Sequence, residues 1–197
     1  MASLALVRTP HLQPHDWVKA GFARLSREGI DAVRVEVLAR DLGVSKGSFY
    51  WHFRDREDLL GRMLARWEAE EGSGQDEDAE SGSAATRWAR FIERTADPAR
   101  IQTEASMRAW ARRDERVARR VAAIEKEKAA RIAAVLREVG FQGPAAESWS
   151  EVVLLVCLGW LDRATRDREF QVAGRGLGEF LSETVLAASA RTSAGNR

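Results

Sequence analysis

The chain has 197 residues, 45% apolar and 31% charged, with a formal net charge of +1, a balance that excludes disordered and collagen-like chains and allows a sizeable core. Its one cysteine, Cys157, excludes an internal disulfide and, inside an apolar run, reads as a buried thiol in a reducing compartment. That run, VVLLVCLGWL, is far shorter than the roughly 20 residues a membrane helix needs, and MASLALVRTPHLQPHD meets Arg, Pro and His too early for a secretory signal, so a cytoplasmic protein without a membrane partner is expected.

Apolar residues recur at helical intervals and no segment alternates as a strand does, so the fold class is all-α. The first helix opens at Pro14 or His15, carries Val18, Phe22 and Leu25 on one face, and stops at Gly29. After a short connection over Asp31 to Arg34, a second helix sets Val35, Leu38, Ala39 and Leu42 at i, i+3, i+4, i+7 and ends at Gly43. Ser45 is placed to cap a third helix, Lys46 to Phe53. Asp55 caps a fourth, a linking helix whose Glu57 and Asp58 suit the positive end of its dipole and whose inner face holds Leu60, Met63, Leu64 and Trp67. These helices form a head over residues 1–71. Residues 72–83 lack any bulky apolar side chain and read as a flexible acidic Gly/Ser linker. A larger helical body follows over 84–197, with helices expected over Ala84–Ala96, Arg100–Arg113, Asp114–Val139, Pro144–Thr165 and Val172–Ser189.

Met1 to Arg66 carries eleven Lys or Arg against eight Asp or Glu, whereas Glu68 to Thr86 has no Lys or Arg; a modestly basic head is compatible with an anionic partner. A helix, a Gly-Val-Ser turn and a short second helix make the helix-turn-helix pattern. Phe49 and Phe53, at i and i+4, face the core, which leaves Lys46, Gly47, Tyr50 and Trp51 outward with Ser48 and His52 flanking them. Such a helix fits the major groove of DNA. Lys46 can donate to guanine, Gly47 permits close approach, and Ser48 and Tyr50 can donate to base or phosphate. His52 and Arg56 can hold phosphates, with N–H groups at the start of the fourth helix beside them. The alternative, on composition alone, is that Tyr50, Trp51 and His52 merely cover a junction with the body.

The stretch GVSKGSFYWHFRDREDLL, within Trp17 to Trp67, resembles the DNA-binding head of the TetR (tetracycline-repressor-like) family of transcriptional regulators. It has the Gly-Val-Ser turn, a glycine, the run aromatic-Tyr-aromatic-His-Phe, then a basic residue, an acid and two leucines. The resemblance implies that Lys46, Gly47, Ser48, Tyr50 and Trp51 read the major groove, while His52 and Arg56 contact phosphates; Ser45 is expected among the DNA-binding residues as well. One departure is Arg34, which stands where the family commonly caps the second helix with Thr or Ser; Arg34 would reach a phosphate by charge. The resemblance also implies a C-terminal domain that binds a small-molecule effector and dimerises through its last two helices. The expected partners are thus a double-stranded, palindromic DNA operator, a second copy of the chain and an effector, with no cofactor and no metal.

In the body, Trp88, Phe91 and Ile92, then Met107 and Trp110, then Trp149, Val153, Val156 and Trp160 make apolar stripes on three helices. Large rings leave gaps a ligand can fill, so Trp88, Ile92, Met107, Arg108, Trp110, Trp149, Val153 and Trp160 are candidate effector contacts, Arg108 as a cation for an acidic effector. The same stripes also read as plain core, and Arg108 as the partner of Glu104 at i−4. The run RRDERVARR reads as a solvated helix face. A two-fold dimer through the last two helices would hold two recognition helices about 34 Å apart, one turn of DNA. Catalysis has little footing: His11, His15 and His52 are isolated, no His/Cys metal spacing exists, and no glycine-rich phosphate loop follows a strand.

Overall fold

Caps decide where the chain breaks. In the computed structural model, which describes residues 12–72, 82–167, 170, 178–185 and 187, helix α1 (Pro14–Glu28) has proline at its first position. Gln13 and Asp16 close that end: Gln13 N–H donates to Asp16 Oδ2 at 2.8 Å and Asp16 N–H to the Gln13 carbonyl at 3.0 Å. Gly29, at φ 81°, terminates α1 and donates to the Leu25 carbonyl. A single 3₁₀ turn (Ile30–Ala32) leads to α2 (Val35–Asp41), Gly43 turns at φ 68°, and α3 (Lys46–Tyr50) follows. Helix α4 (Arg56–Glu71) is capped by Asp55, whose carboxylate accepts Asp58 N–H at 2.9 Å.

Two expectations need correction here. Helix α3 stops at Tyr50, because Trp51 and His52 turn while the N–H groups of His52 and Phe53 both return to the Phe49 carbonyl. Ser45 occupies the N-cap in extended conformation, but its hydroxyl makes no capping bond.

The chain divides into two compact units inside α4, after Trp67. In the first unit Trp17, Leu25, Leu38, Phe49, Phe53 and Met63 are each no more than 1% exposed. Phe49 stacks on Phe53 at 5.0 Å and meets Trp17 edge-on at 5.2 Å. Gly21 lets α1 approach α4, since a Cβ there would lie 2.6 Å from the Met63 sulfur. A bidentate pair ties α1 to α2: Arg24 Nε and Nη2 each donate to the Asp41 carboxylate at 2.5 Å.

The second unit contains α5 (Ala84–Thr95), α6 (Pro98–Ala111), α7 (Glu115–Glu138), α8 (Ala145–Arg166) and a helical segment over 178–185. Asp114 caps α7 by accepting Arg116 N–H at 2.9 Å. Helix α7 packs along both α6 and α8, and α5 lies against α7. The main core joins Trp88, Leu136, Phe141, Val153 and Leu154 to Leu181 and Val185. Trp88 Nε1 donates to Ser182 Oγ at 2.8 Å, fixing α5 to the 178–185 segment. Of the expected linker and last helix, residues 73–81 and most positions outside 178–185 lie beyond the described residues. Among the described residues there is no strand, and no helix is long and apolar enough to cross a membrane.

Candidate nucleic-acid interface and ligand cavity

Helix α3 has one face in the core and one in water. Phe49 is fully buried, whereas Tyr50 is 59% and Trp51 87% exposed. Lys46, Gly47 and Ser45 are also exposed, with Ser48 and His52 half-buried beside them. A Cβ on Gly47 would meet only Ser45 Oγ, at 3.6 Å; nothing inside the molecule demands glycine there. Lys46 Nζ lies 2.8 Å from Glu36 Oε1, an exposed pair that holds the Glu36 carboxyl below its ordinary range.

The cations around α3 differ in how far they are committed. Arg34 stands exposed at the N-cap of α2 and makes no side-chain capping bond. Arg56, expected at a phosphate, is held by main-chain acceptors: its Nε donates to the Val33 carbonyl at 2.6 Å and its Nη2 to the Ile30 carbonyl at 2.8 Å. It braces the turn before α2. The start of α4 is likewise taken, with Asp58 N–H already given to Asp55 and Glu57 in the same turn. Arg54, which the sequence reading passed over, has a side chain 86% exposed and a long 3.8 Å contact to Asp58; its place beside the aromatic run was the available signal.

The second unit encloses a cavity of about 760 Å³ between α5, α6, α7 and α8 and the end of α4. Trp88, Phe91, Ile132, Leu154 and Leu158 make its apolar wall. Its other wall is charged, with seven Arg or Lys against four Glu or Asp among the described lining residues. Lys128 Nζ sits 2.7 Å from Glu71 and 2.5 Å from Glu104. Arg100 bonds Glu71 directly, and Arg108 bonds Glu125 and lies 3.6 Å from Glu104. Burial lowers the Lys128 and Arg100 pKa values, and burial pushes the Cys157 thiol up to about 12, leaving it a poor nucleophile.

Of the eight expected effector contacts, only Trp88 and Arg108 line this cavity. Met107 and Trp110 are buried at 0% and 4% exposure as core. Val153 belongs to the main core, Trp149 packs against it beside Phe141, and Trp160 sits with Ile101 and Leu161 in a second cluster. Ile92 packs on that main core as well. Apolar periodicity marks the inward face of a helix but does not say which inward residues border empty space. Arg100, Lys128 and Glu71 escaped the sequence reading because they belong to four-helix geometry rather than to any local motif.

The model for bacterial regulatory proteins of the tetR family matches residues 18–63. The tetracycline repressor protein class A from transposon 1721 of Escherichia coli is 36% identical over 59 residues, 30% of this chain and 27% of the repressor. An HTH-type transcriptional repressor of Mycobacterium tuberculosis is 34% identical over 55 residues, 28% of this chain and 21% of that one. The chain thus spans about a quarter of the length of these relatives. The fold likeness is wider: a TetR transcription regulator from Haloarcula marismortui superposes with a TM-score of 0.70 at 17% identity, covering 87% of this chain and 96% of that one. Residues 18–63 thus carry the likeness to the tetR family of bacterial regulatory proteins, and beyond them the likeness is one of fold.

Proposed function

We propose that the chain is a sequence-specific DNA-binding transcriptional regulator, a homodimeric repressor that binds a palindromic operator and responds to a small molecule held in its second unit. The observation that carries the reading is the exposure of Tyr50, at the end of α3, and of Trp51, in the turn after it, beside a fully buried Phe49. Two large rings side by side in water are costly unless a partner covers them. Set in a major groove, Tyr50 and Ser48 donate to base or phosphate, Trp51 offers apolar contact to a thymine methyl, and Gly47 leaves room for the duplex. Lys46 exchanges Glu36 for a guanine or phosphate acceptor, a cheap exchange because an exposed pair contributes little. Arg34, Arg54 and His52 serve the phosphates on either side.

Support for the dimer comes from α8. Val152 and Leu155 are 47% and 64% exposed, and Ser148 and Gly159 continue the same stripe at helical spacing. A second copy laid on this stripe would bury apolar surface against apolar surface. The cavity supports the small-molecule response, since its volume lies within the usual range for ligand sites.

The test is selection of duplexes from a random DNA library at two salt concentrations, with Tyr50→Ala and Gly47→Ala as controls. Wild type is expected to enrich a palindrome that both variants lose while keeping their helical circular dichroism. Equal enrichment by wild type and Tyr50→Ala would remove α3 from the interface.

A further inference from the structure

We propose that the cavity of the second unit binds an amphipathic organic anion, a carboxylate carried on an apolar body, whose charged end replaces the Glu71 side chain between Lys128 and Arg100. The proposal deepens the small-molecule response suggested above and rests on that reading only for its effect on DNA.

The cavity is two-sided. Its apolar wall is continuous with the core, so a ligand body placed there gains hydrophobic burial. Its charged wall carries an excess of cations, which disfavours a cationic ligand and favours an anionic one. A carboxylate already occupies the best position on that wall: Glu71 lies between Lys128 and Arg100, only 6% exposed. The two cations therefore form a built carboxylate site.

The α4 terminus is where exchange is easiest. Glu71 is the last residue of α4, so its side chain can swing out by unwinding one end turn without breaking interior helical bonds. Glu104, the other acid on Lys128, lies inside α6 and has no such freedom. Arg131 donates to the Glu71 carbonyl at 3.2 Å and Arg94 to the Glu70 carbonyl, so cations from α5, α6 and α7 converge on the negative end of the α4 dipole. An incoming anion satisfies those cations and takes away the reason for the last turn to stay. Arg108 Nε, buried in the same wall, has no acceptor among the described residues and adds a donor the ligand can use.

Burial lowers the pKa of Lys128 and Arg100, which agrees with cations that would gain from a further anionic neighbour. Within this arrangement Glu71 is a competitor of the ligand, not a contact. Its neutral variant must therefore strengthen binding, a sign no cation-binding or purely apolar cavity would give.

The experiment is isothermal titration calorimetry on the full chain at neutral pH with three probes of one chain length: sodium decanoate, decyltrimethylammonium bromide and 1-decanol. Decanoate is expected to bind about tenfold more tightly than either of the others. Glu71→Gln should tighten decanoate by about tenfold, and Lys128→Met should weaken it by at least that factor. Thermal melts of both variants establish that they fold; should Lys128→Met fail to fold, Glu71→Gln alone decides. Stronger binding of the ammonium probe, an unchanged or weaker decanoate affinity in Glu71→Gln, or no decanoate binding below about 1 mM would overturn the proposal. Operator binding is read separately: a selected duplex with no calorimetric anion binding overturns this inference and leaves the regulator reading standing. Decanoate binding with the expected Glu71→Gln sign, but no selected duplex, supports the inference and overturns the regulator reading.

Discussion

Arg56 has the sequence neighbourhood of a phosphate contact, yet two carbonyls of the preceding connection hold its guanidinium. Removing it strands both acceptors in a part-buried site, and Arg56→Ala is expected to lower stability by about 2 kcal/mol in urea denaturation. Arg56→Lys should recover only part of this, because one ammonium cannot span both carbonyls. Arg54→Ala should leave stability within about 0.5 kcal/mol and reduce the slope of log affinity against log salt by about one unit. If Arg56→Ala instead left the denaturation midpoint unchanged and flattened the salt slope, the two assignments would have to be exchanged. Phe49 and Trp51 make the same point: both are large rings two positions apart, Phe49 inside α3 and Trp51 in the turn after it, and only Phe49 is core.

At the scale of an element, α8 shows how finely a helix divides its faces. Trp149, Val153, Val156 and Trp160 turn inward, and the stripe one residue earlier, Ser148, Val152, Leu155 and Gly159, contains the exposed apolar positions. Leu155→Glu places a charge on the outward stripe at a position where Glu is a good helix former. Sedimentation velocity should therefore show a shift from dimer to monomer, with helical circular dichroism and the cooperativity of melting retained. A sedimentation coefficient equal to wild type would show that this stripe is not the contact between copies. The cap chemistry explains why the helix boundaries were readable beforehand: Pro14, Gly29, Asp55, Asp114 and Gly140 each satisfy or end a run of backbone groups locally, within four residues of themselves.

For the molecule as a whole, acid should be the destabilising direction. The Arg24 hydrogen bond holds the Asp41 carboxyl below the usual range, the Arg54 main-chain N–H does the same for Asp58, and Arg116 and Arg137 do so for Asp114 and Glu147. A folded pKa below the unfolded one contributes stability that is fully present above the unfolded value of about 4 and is lost as pH falls through the lowered folded value. Lys128 acts in the same direction in a more alkaline range: burial lowers its pKa, so the folded state gains as pH rises from that lowered value towards the ordinary 10.5. The melting temperature should hardly change with these carboxyls between about pH 7 and 5 and should drop below about pH 4. Asp41→Asn should melt lower at pH 7 and show a shallower acid limb. An acid limb as steep as wild type would mean that the Arg24–Asp41 pair plays no part in it.

The sequence by itself determined the all-α class, the boundaries of α1 to α8 to within about two residues save the end of α3, and the division of the aromatic run into buried Phe49 and Phe53 and exposed Tyr50 and Trp51. These depend on periodicity, caps and turns, which act over a few residues and so are written in consecutive ones. Only the tertiary structure decided that Arg56 braces a turn, that α3 ends at Tyr50, and that Trp110 is core while Arg100, Lys128 and Glu71 face a cavity. Those outcomes depend on where separate helices meet. A carboxylate at the end of α4 finds Lys128 through the packing of side chains more than fifty positions apart, and no local pattern encodes that encounter.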